Sequence, residues 1–233
     1  MGKNNVAPIV NWVLEYSPIF FDLDGLLVNT EHLHYKAYKE MLASFGKHLP
    51  WDFFSFAAVA HKSASGLRKL ITEHFPFLVE EISWEKLYAK KTECYVQLLK
   101  EGHLELMPGA QRVLQMVQEK NLPHAVVTNS TNEQVSMIQK ELPSLQAIET
   151  WVTRENYANS KPAPDGYLQG ISILKGGNKK MLGFEDSLRG IKALELAHIK
   201  PVLICSKNHP QMEEVDRNTL LYYPSFTELL LTL

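Results

Sequence analysis

A chain of 233 residues is long enough to bury a substantial core, as one large domain or two small ones. Its composition, with 45% hydrophobic and 21% charged residues, is typical of a globular protein. A formal net charge of −2 gives no basic surface for nucleic acid or an anionic membrane, and no apolar stretch is long enough to span a bilayer, so we expect neither partner.

The N-terminal residues and the two cysteines indicate the cellular compartment of the protein. Asn11 interrupts the apolar stretch at residues 6–14, and Lys3 is the only basic residue before that stretch, which is atypical of a signal peptide. Cys94 and Cys205 have neither metal-binding nor redox spacing, so we expect reduced packing residues. The sequence therefore predicts a cytoplasmic protein.

The first predicted strand, residues 19–21, ends in two carboxylates, Asp22 and Asp24, and a glycine. Such a run is typical of a buried parallel strand whose carboxyl end faces solvent, where open α/β sheets bind ligands. Asp22 follows three apolar residues, so its carboxylate needs a cation or a hydrogen-bond network. A hard cation such as Mg²⁺ would neutralise the pair. A plain Asp-x-Asp-Gly turn is the alternative.

Helical periodicity replaces strand patterning from about residue 31 to residue 99. Apolar residues recur at helical spacing, as at Leu33, Ala37 and Met41, which suits helices that pack on one another. Pro108-Gly109 marks the return to the first pattern. The sequence therefore predicts an all-helical insertion.

Strands and helices alternate in the remainder of the chain. The predicted helices are 109–120, 131–142, 164–174 and 187–197, with a closing helix at 226–231, and the predicted strands are 124–128, 148–152, 180–185 and 201–205. This alternation predicts βαβ units around a parallel sheet. We therefore predict an α/β fold: a Rossmann-like three-layer core from residues 1–32 and 106–233, and a small all-helical cap at residues 33–105.

Three further polar segments follow predicted strands in a fixed order. They are Val-Val-Thr-Asn-Ser at 126–130, Ser-Lys-Pro-Ala-Pro-Asp at 160–165 and Gly-Phe-Glu-Asp-Ser at 183–187. Together with Asp-Leu-Asp-Gly at 22–25, they resemble the four motifs of haloacid dehalogenase-like phosphotransferases. The resemblance covers nearly the whole chain from about residue 17, and it implies the same core with an inserted cap.

A closer likeness lies in Asp-Gly-Leu-Leu-Val-Asn-Thr-Glu at 24–31, Leu-Met-Pro-Gly-Ala at 106–110 and Phe-Glu-Asp-Ser at 184–187. These segments resemble the branch that contains β-phosphoglucomutase, small sugar-phosphate phosphatases and pseudouridine 5′-phosphatase. The dehalogenases that name the superfamily lack the second carboxylate, Asp24, so phosphoryl transfer is the better interpretation.

The two aspartates of the first motif are the candidate catalytic groups. A carboxylate that attacks phosphorus divides one difficult displacement into two easier ones, and we assign this role to Asp22. Asp24 would protonate the leaving oxygen and then activate the incoming hydroxyl. The resemblance implies the same role for Asp22, and it implies that the backbone carbonyl of Asp24 faces the metal.

The second motif offers hydroxyl and amide groups at a helix start, where anions bind. We expect Thr128, and next to it Asn129, to face the phosphate, and Asn132 to bind the phosphate or the substrate. Ser130 and Glu133 form Ser-x-x-Glu, which is also a capping box, so we expect Ser130 to begin the helix.

The third and fourth motifs supply one cation and two carboxylates. The ammonium of Lys161 would neutralise charge on the transferred group, an effect that can contribute about 3–4 kcal/mol; a solvated loop lysine is the alternative. Asp186 would ligate Mg²⁺, and Glu185 would ligate it or hold a metal-bound water. Both carboxylates could instead cap the following helix.

The inserted helices hold the remaining candidates. His34 stands where mutases of the branch place a hinge histidine, although a surface histidine is the alternative. Residues 61–68 fall where the branch reads its substrate, and Lys62 or Arg68 could hold a second phosphate. Lys90-Lys91 is a short charge pair that we expect to be solvated.

These observations predict a Mg²⁺-dependent phosphatase, a phosphoric monoester hydrolase that acts on a small phosphorylated metabolite through an aspartyl phosphate on Asp22. The substrate would be a sugar phosphate or a nucleotide-like monophosphate, and the protein is expected to be a monomer. A phosphomutase would use the same residues, because a sugar hydroxyl then replaces water. A non-catalytic phospholigand-binding protein is the third alternative.

Overall fold

The computed structural model describes residues 12–60, 64–102, 104–176 and 179–233. The strands are β1 (Ile19–Phe21), β2 (His124–Val127), β3 (Trp151–Val152), β4 (Leu182–Glu185), β5 (Lys200–Ile204) and β6 (Leu221–Tyr223). The α-helices are α1 (Glu31–Ser44), α2 (Phe53–Ala60), α3 (Ala64–His74), α4 (Pro76–Glu81), α5 (Trp84–Lys100), α6 (Ala110–Glu119), α7 (Asn132–Glu141), α8 (Asp165–Leu174), α9 (Leu188–Leu196) and α10 (Phe226–Leu230). Short 3-10 helices span Trp12–Glu15, Pro143–Ala147, Arg154–Asn156 and Pro210–Glu213.

The six strands form one parallel sheet in the order β3-β2-β1-β4-β5-β6. β1 is central: Phe21 pairs with Val126 of β2 on one side and with Phe184 of β4 on the other. The carboxyl ends of these three strands therefore lie side by side at one edge of the sheet. This edge carries the first, second and fourth sequence motifs.

Successive side chains of the central strands point to opposite faces of the sheet, and both faces are buried. Phe21 and Val126 belong to the apolar core beneath α6 and α10, whereas Phe20 and Val127 belong to the core beneath α8 and α9. Helices thus cover both faces. The predicted three-layer α/β core is confirmed.

The segment between β1 and α6 is helical wherever it forms regular structure in the described residues. α1 and α5 pack together, and a separate apolar core forms around Tyr38, Met41 and Leu87. The boundaries 33–105 stay a prediction; α1 begins at Glu31, so the first boundary falls inside its first turn.

The two chain segments that lead into and out of the helices pair with each other. Val28 forms an antiparallel bridge with Leu106, and the backbone N–H of Asn29 donates to the carbonyl of Glu105 at 2.9 Å. Farther out, α2 packs against the 3-10 helix Pro210–Glu213, which follows β5. The inserted helices therefore contact the sheet domain through these two paired segments and through the 3-10 helix Pro210–Glu213.

One predicted strand is shorter in the structure, and one strand was not predicted. β3 was expected at residues 148–152 but begins at Trp151, because the N–H of Ile148 bonds back to the carbonyl of Leu145 and continues the 3-10 helix that Pro143 opens. β6 was not predicted. No described helix is both long enough and apolar enough to cross a membrane.

Candidate active site

The site begins where β1 and β4 end. Carboxylate oxygens of Asp22, Glu185 and Asp186 all lie within 4.8 Å of one another, and all three side chains are buried. Gly25, with φ +84°, lets the turn after β1 approach this cluster, since a Cβ there would lie 2.3 Å from Oδ2 of Asp186. The fold therefore brings Asp22 to the adjacent pair Glu185 and Asp186, which follows more than 160 residues later in the sequence.

Lys161 supplies the cation beside this cluster. Its ammonium donates to the carboxylate of Asp22 and, at 2.7 Å, to the backbone carbonyl of Val127, and it lies 2.7 Å from Oε1 of Glu185. Burial alone would lower the pKa of Lys161, but the two carboxylates raise it above its usual value. Lys161 is therefore charged and buried, and it is not a solvated loop residue.

One ammonium does not balance the negative charge of the three carboxylates, as the raised pKa values of Asp22 and Asp186 indicate. Burial, aided by Glu185 and Asp24, raises the pKa of Asp22 to about 7 despite the opposing charge of Lys161. Burial and the neighbouring carboxylates also raise the pKa of Asp186 well above its usual value. A group of hard oxygen donors that lacks positive charge fits a hard divalent cation.

Asp24 lies in a different environment, surrounded by hydroxyl groups. Thr30 donates to Oδ1 at 2.8 Å, and Ser130 and Thr128 donate to Oδ2 at 2.6 Å and 3.1 Å. Burial would raise the pKa of Asp24, but His34 and the hydroxyl donors Ser130 and Thr30 hold that pKa well below its usual value. Asp24 is therefore ionised.

The expected capping role of Ser130 is wrong. The helix α7 is capped by Thr131, whose hydroxyl accepts from the N–H of Gln134, while the Gln134 side chain accepts from the N–H of Thr131. The capping box is thus shifted by one residue from the predicted one. Because Thr131 caps the helix, the hydroxyl of Ser130 can donate to Asp24. The sequence spacing did not indicate this contact.

The two asparagines of the second motif are held differently. Oδ1 of Asn129 accepts from the hydroxyl of Tyr157 at 2.8 Å and from the backbone N–H of Lys161 at 3.4 Å, so Asn129 lies beside the cation. Oδ1 of Asn132 instead accepts from the hydroxyl of Thr153 at 2.7 Å. The structure brings Asn129 to the cluster and ties Asn132 to the turn after β3.

His34 faces the site from the first turns of α1. Its Nε2 lies 3.8 Å from Oδ1 of Asp24, and its ring stacks on Tyr95 at 4.1 Å. Nζ of Lys91 lies 2.9 Å from Nδ1. Burial and the charge of Lys91 lower the pKa of His34. An ammonium only donates, so Nδ1 accepts and the ring proton is on Nε2, toward Asp24.

The expectation that Lys91 is solvated is also wrong. Its side chain is only 5% exposed, and its ammonium lies 4.9 Å from the ring centroid of Tyr95, with Tyr38 and Tyr88 next to it. Burial lowers its pKa to about 8. Position 91 falls on the apolar stripe of α5, one turn from Leu87, and this periodicity could have revealed it.

The two basic candidates of the inserted segment, Lys62 and Arg68, are not brought to the carboxylate cluster by any described contact. Lys62 lies outside the described residues. Arg68 is exposed, and its guanidinium lies 5.6 Å from the ring centroid of Trp84, a contact within the inserted helices. Their proposed phosphate contacts stay predictions.

The sequence profile of the haloacid dehalogenase-like hydrolases matches residues 19–204, most of the chain. The chain belongs to this family. Two relatives are the "Phosphorylated carbohydrates phosphatase" of Thermotoga maritima, 26% identical over 79% of this chain and 82% of the relative, and the "Probable pseudouridine-5'-phosphatase" of Drosophila melanogaster, 30% identical over 79% of both.

Among solved structures, β-phosphoglucomutase from Clostridium difficile has the same fold, with a TM-score of 0.72 at 22% identity over 92% of this chain and 93% of that one. The resemblance to this branch of the haloacid dehalogenase-like hydrolases is confirmed. The predicted enzyme class, a phosphoric monoester hydrolase, is confirmed by the family and by the phosphatases among its relatives.

Proposed function

We propose that this chain is a Mg²⁺-dependent phosphatase that forms an aspartyl phosphate on Asp22. The observation that carries the proposal is the placement of the Asp22 carboxylate at the end of β1, in contact with Lys161 and within 4.8 Å of Glu185 and Asp186. The names of the two relatives support a small substrate, either a phosphorylated carbohydrate or a nucleotide-like monophosphate.

Asp22 is the nucleophile in this mechanism. Its carboxylate oxygen attacks phosphorus, the bond from phosphorus to the ester oxygen breaks, and an acyl phosphate forms. Mg²⁺, held by Asp22, Asp186 and Asp24 with Glu185 as ligand or partner of a bound water, would offset the negative charge of the phosphoryl group. Lys161, already in contact with Asp22, offsets charge on the same group.

Asp24 moves the protons in both steps. Its hydroxyl donors hold it ionised, which is the form that takes a proton from water in the second step. In the first step it must carry a proton for the leaving oxygen, and the negative charge of an incoming phosphate raises its pKa in that direction. Water then attacks phosphorus, Asp24 takes a proton from that water, and the bond from phosphorus to the Asp22 oxygen breaks, which frees inorganic phosphate and restores the Asp22 carboxylate.

The remaining candidate residues would bind the substrate. We assign phosphate contacts to Thr128, Asn129 and Asn132 at the end of β2 and the start of α7, where N–H groups favour anions. His34 would face the substrate from the inserted helices, with Lys62 and Arg68 as further cations there. We also propose that residues 33–105 act as the cap and that the protein is a cytoplasmic monomer.

The deciding experiment measures phosphate release from a panel of sugar and nucleotide monophosphates, with Mg²⁺ and with a chelator. We expect Mg²⁺-dependent release from one or a few esters. The variant Asp22→Asn should lose activity by roughly four orders of magnitude or more, as other enzymes do without their nucleophile, and should remain folded. Asp216→Asn, an exposed carboxylate in a loop, is the matched control and should remain active.

Two outcomes would contradict the proposal. Interconversion of β-glucose 1-phosphate without phosphate release would identify a phosphomutase, in which a sugar hydroxyl takes the phosphoryl group from Asp22. Binding of phosphorylated ligands by a chain that neither releases nor transfers phosphate would identify a binding protein. An unchanged rate in Asp22→Asn would exclude the aspartyl phosphate.

A further inference from the structure

A single side chain outside the sequence motifs holds the backbone of the loop that carries Asp186. This residue is Gln211, in the 3-10 helix Pro210–Glu213, and it is only 2% exposed. Its Nε2 donates to the backbone carbonyl of Asp186 at 2.5 Å and lies 3.0 Å from Sγ of Cys205, while its Oε1 accepts from the N–H of Leu188 at 3.1 Å. Three of the four hydrogen-bonding positions of the amide are therefore in use.

The two backbone groups that Gln211 binds flank Ser187. The backbone of Ser187 is extended, with φ −124° and ψ 146°. In an extended residue the preceding carbonyl and the following N–H face the same side, so one amide can pair with both, as a neighbouring strand does. Gln211 thus continues the pairing of β4 beyond its last strand residue, Glu185.

Both groups would otherwise lack a protein partner among the described residues. The N–H of Leu188 is one of the first donors of α9, which no carbonyl within that helix can satisfy. Among the described residues the carbonyl of Asp186 has no other hydrogen bond, and the side chain of Asp186 is already in close contact with Gly25. The turn at Gly25 therefore restricts the carboxylate of Asp186, and Gln211 holds the backbone of the same residue. Together these two contacts fix the orientation of the carboxylate.

The 3-10 helix that carries Gln211 is itself fixed in place. Nδ1 of His209 accepts from the N–H of Gln211 at 3.3 Å, and Nε2 of the same ring lies 3.9 Å from the carboxylate of Glu31, the first residue of α1. The inserted helix α2 packs on this 3-10 helix as well. Gln211 therefore lies where the inserted helices meet the Asp186 loop.

We infer that Gln211 is a positioning residue that holds the Asp186 loop in the conformation that ligates the cation, an inference that depends on the metal site of the proposed function. Residues that orient metal ligands commonly contribute 10- to 100-fold in metal affinity. Loss of the amide should therefore weaken Mg²⁺ binding about 10-fold or more, through Asp186 and without removal of any ligand.

The test is calorimetric titration of Mg²⁺ into the full chain without substrate, alongside urea unfolding in the presence of a chelator. Gln211→Met keeps the size of the side chain and loses all three bonds, whereas Gln211→Asn keeps the amide but shortens its reach. Gln118→Met is the matched control, because Gln118 lies in α6 and its Nε2 is buried with no hydrogen-bond partner in the described part of the chain. We expect weaker Mg²⁺ binding in both Gln211 variants and unchanged binding in the control.

The outcomes separate positioning from general stability. Variants that unfold at lower urea yet bind Mg²⁺ as tightly as the natural chain would overturn the inference, because Gln211 would then be merely structural. If Gln211→Met does not fold, Gln211→Asn decides by the same criterion. A natural chain that binds no Mg²⁺ would overturn both the metal site of the proposed function and this inference, whereas normal binding that is unaffected in the variants overturns this inference alone.

Discussion

The hydroxyl of Ser130 donates a 2.6 Å hydrogen bond to Oδ2 of Asp24, and thereby joins the segment after β2 to the segment after β1. The bond exists because α7 is capped by Thr131, one residue later than sequence spacing suggests. Hydrogen bonds to an ionised carboxylate stabilise the charged form. Ser130 therefore helps to set the proton affinity of the group that serves as acid and base in the proposed mechanism.

Ser130→Ala should raise the pKa of Asp24, because one donor to its ionised form is lost. A hydrogen bond to a charged group contributes about 1.5–3 kcal/mol, so we expect kcat near neutral pH to fall about 10-fold. In the pH profile of kcat, the acid limb should move to higher pH.

Ser136→Ala is the control for this change. Ser136 lies in α7, and its hydroxyl donates to the carbonyl of Asn132 rather than to Asp24, so its loss should leave the pH profile in place. An acid limb that stays at the same pH in Ser130→Ala would show that Ser130 does not act on Asp24.

Gly25→Ala should damage the metal site more than the backbone strain alone would suggest. A left-handed conformation costs an L-residue about 1–2 kcal/mol, and at Gly25 a Cβ would also lie 2.3 Å from Oδ2 of Asp186. The carboxylate must then move, so we expect Mg²⁺ affinity to fall about 10-fold or more, as measured by calorimetric titration.

Gly46→Ala separates strain from displacement. Gly46 has φ +68°, and no atom of the described residues lies within 4 Å of its Cβ position, so alanine there incurs the same kind of strain without a clash. We expect this variant to unfold at a lower urea concentration and to bind Mg²⁺ normally. Equal Mg²⁺ affinities in the two variants would contradict the assigned role of the close approach.

The stabilisation of the protein by Mg²⁺ should depend on pH. The pKa of Asp22 is raised from 3.8 to about 7, so the folded metal-free chain binds more protons than the unfolded chain between these values. The contribution of Asp22 to the free energy of unfolding is thus fully present below about pH 4 and is lost as the pH rises to about 7. Mg²⁺ requires the ionised carboxylate.

We therefore expect Mg²⁺ to raise the melting temperature more at about pH 8 than at about pH 5.5, as followed by thermal unfolding. In Asp22→Asn, which has no proton at this position to lose, the difference between the two pH values should shrink. A Mg²⁺ effect of equal size at both pH values would mean that no carboxylate of the cluster titrates in this window.

Lys91→Met should raise the pKa of His34 toward its ordinary value. The charge of Lys91 lies 2.9 Å from the ring and adds to burial in lowering that pKa. Titration of the ring by NMR, assigned with His34→Gln, measures the shift. Lys90→Met is the control, since Lys90 is exposed and pairs with Glu93 at 2.9 Å; a similar shift in both variants would rule out a specific contact.

Much of the core could be predicted from local patterns. An apolar strand that ends in Asp22, and the regular alternation after residue 107, are features of short windows, and parallel pairing brings strand ends together wherever they lie in the sequence. β6 was missed because it has three residues, all half-buried at the sheet edge, which gives little periodicity to detect.

The contacts that were missed depend on residues far apart in the chain. Gln211 binds backbone groups of Asp186 and Leu188, and no motif around position 211 indicates which residues lie opposite. Lys91 carries a charge that suggested solvent, although its position in the helix pointed to the interior. The role of Gln211 is decided by tertiary packing, which local spacing does not encode, whereas the burial of Lys91 could have been predicted from its helical spacing.

The central position of β1 in the sheet has a consequence during synthesis of the chain on the ribosome. The strand that carries Asp22 pairs with β2 and β4, and the first of these partners, His124–Val127, follows about 100 residues later. At about 5–20 residues per second, a ribosome needs roughly 5–20 s to supply it. During that interval Ile19–Phe21 is an emerged apolar segment without a strand partner, while the helices α1 to α5 can already collapse on one another. The helices α1 to α5 are therefore synthesised in full before β1 can gain its first strand partner.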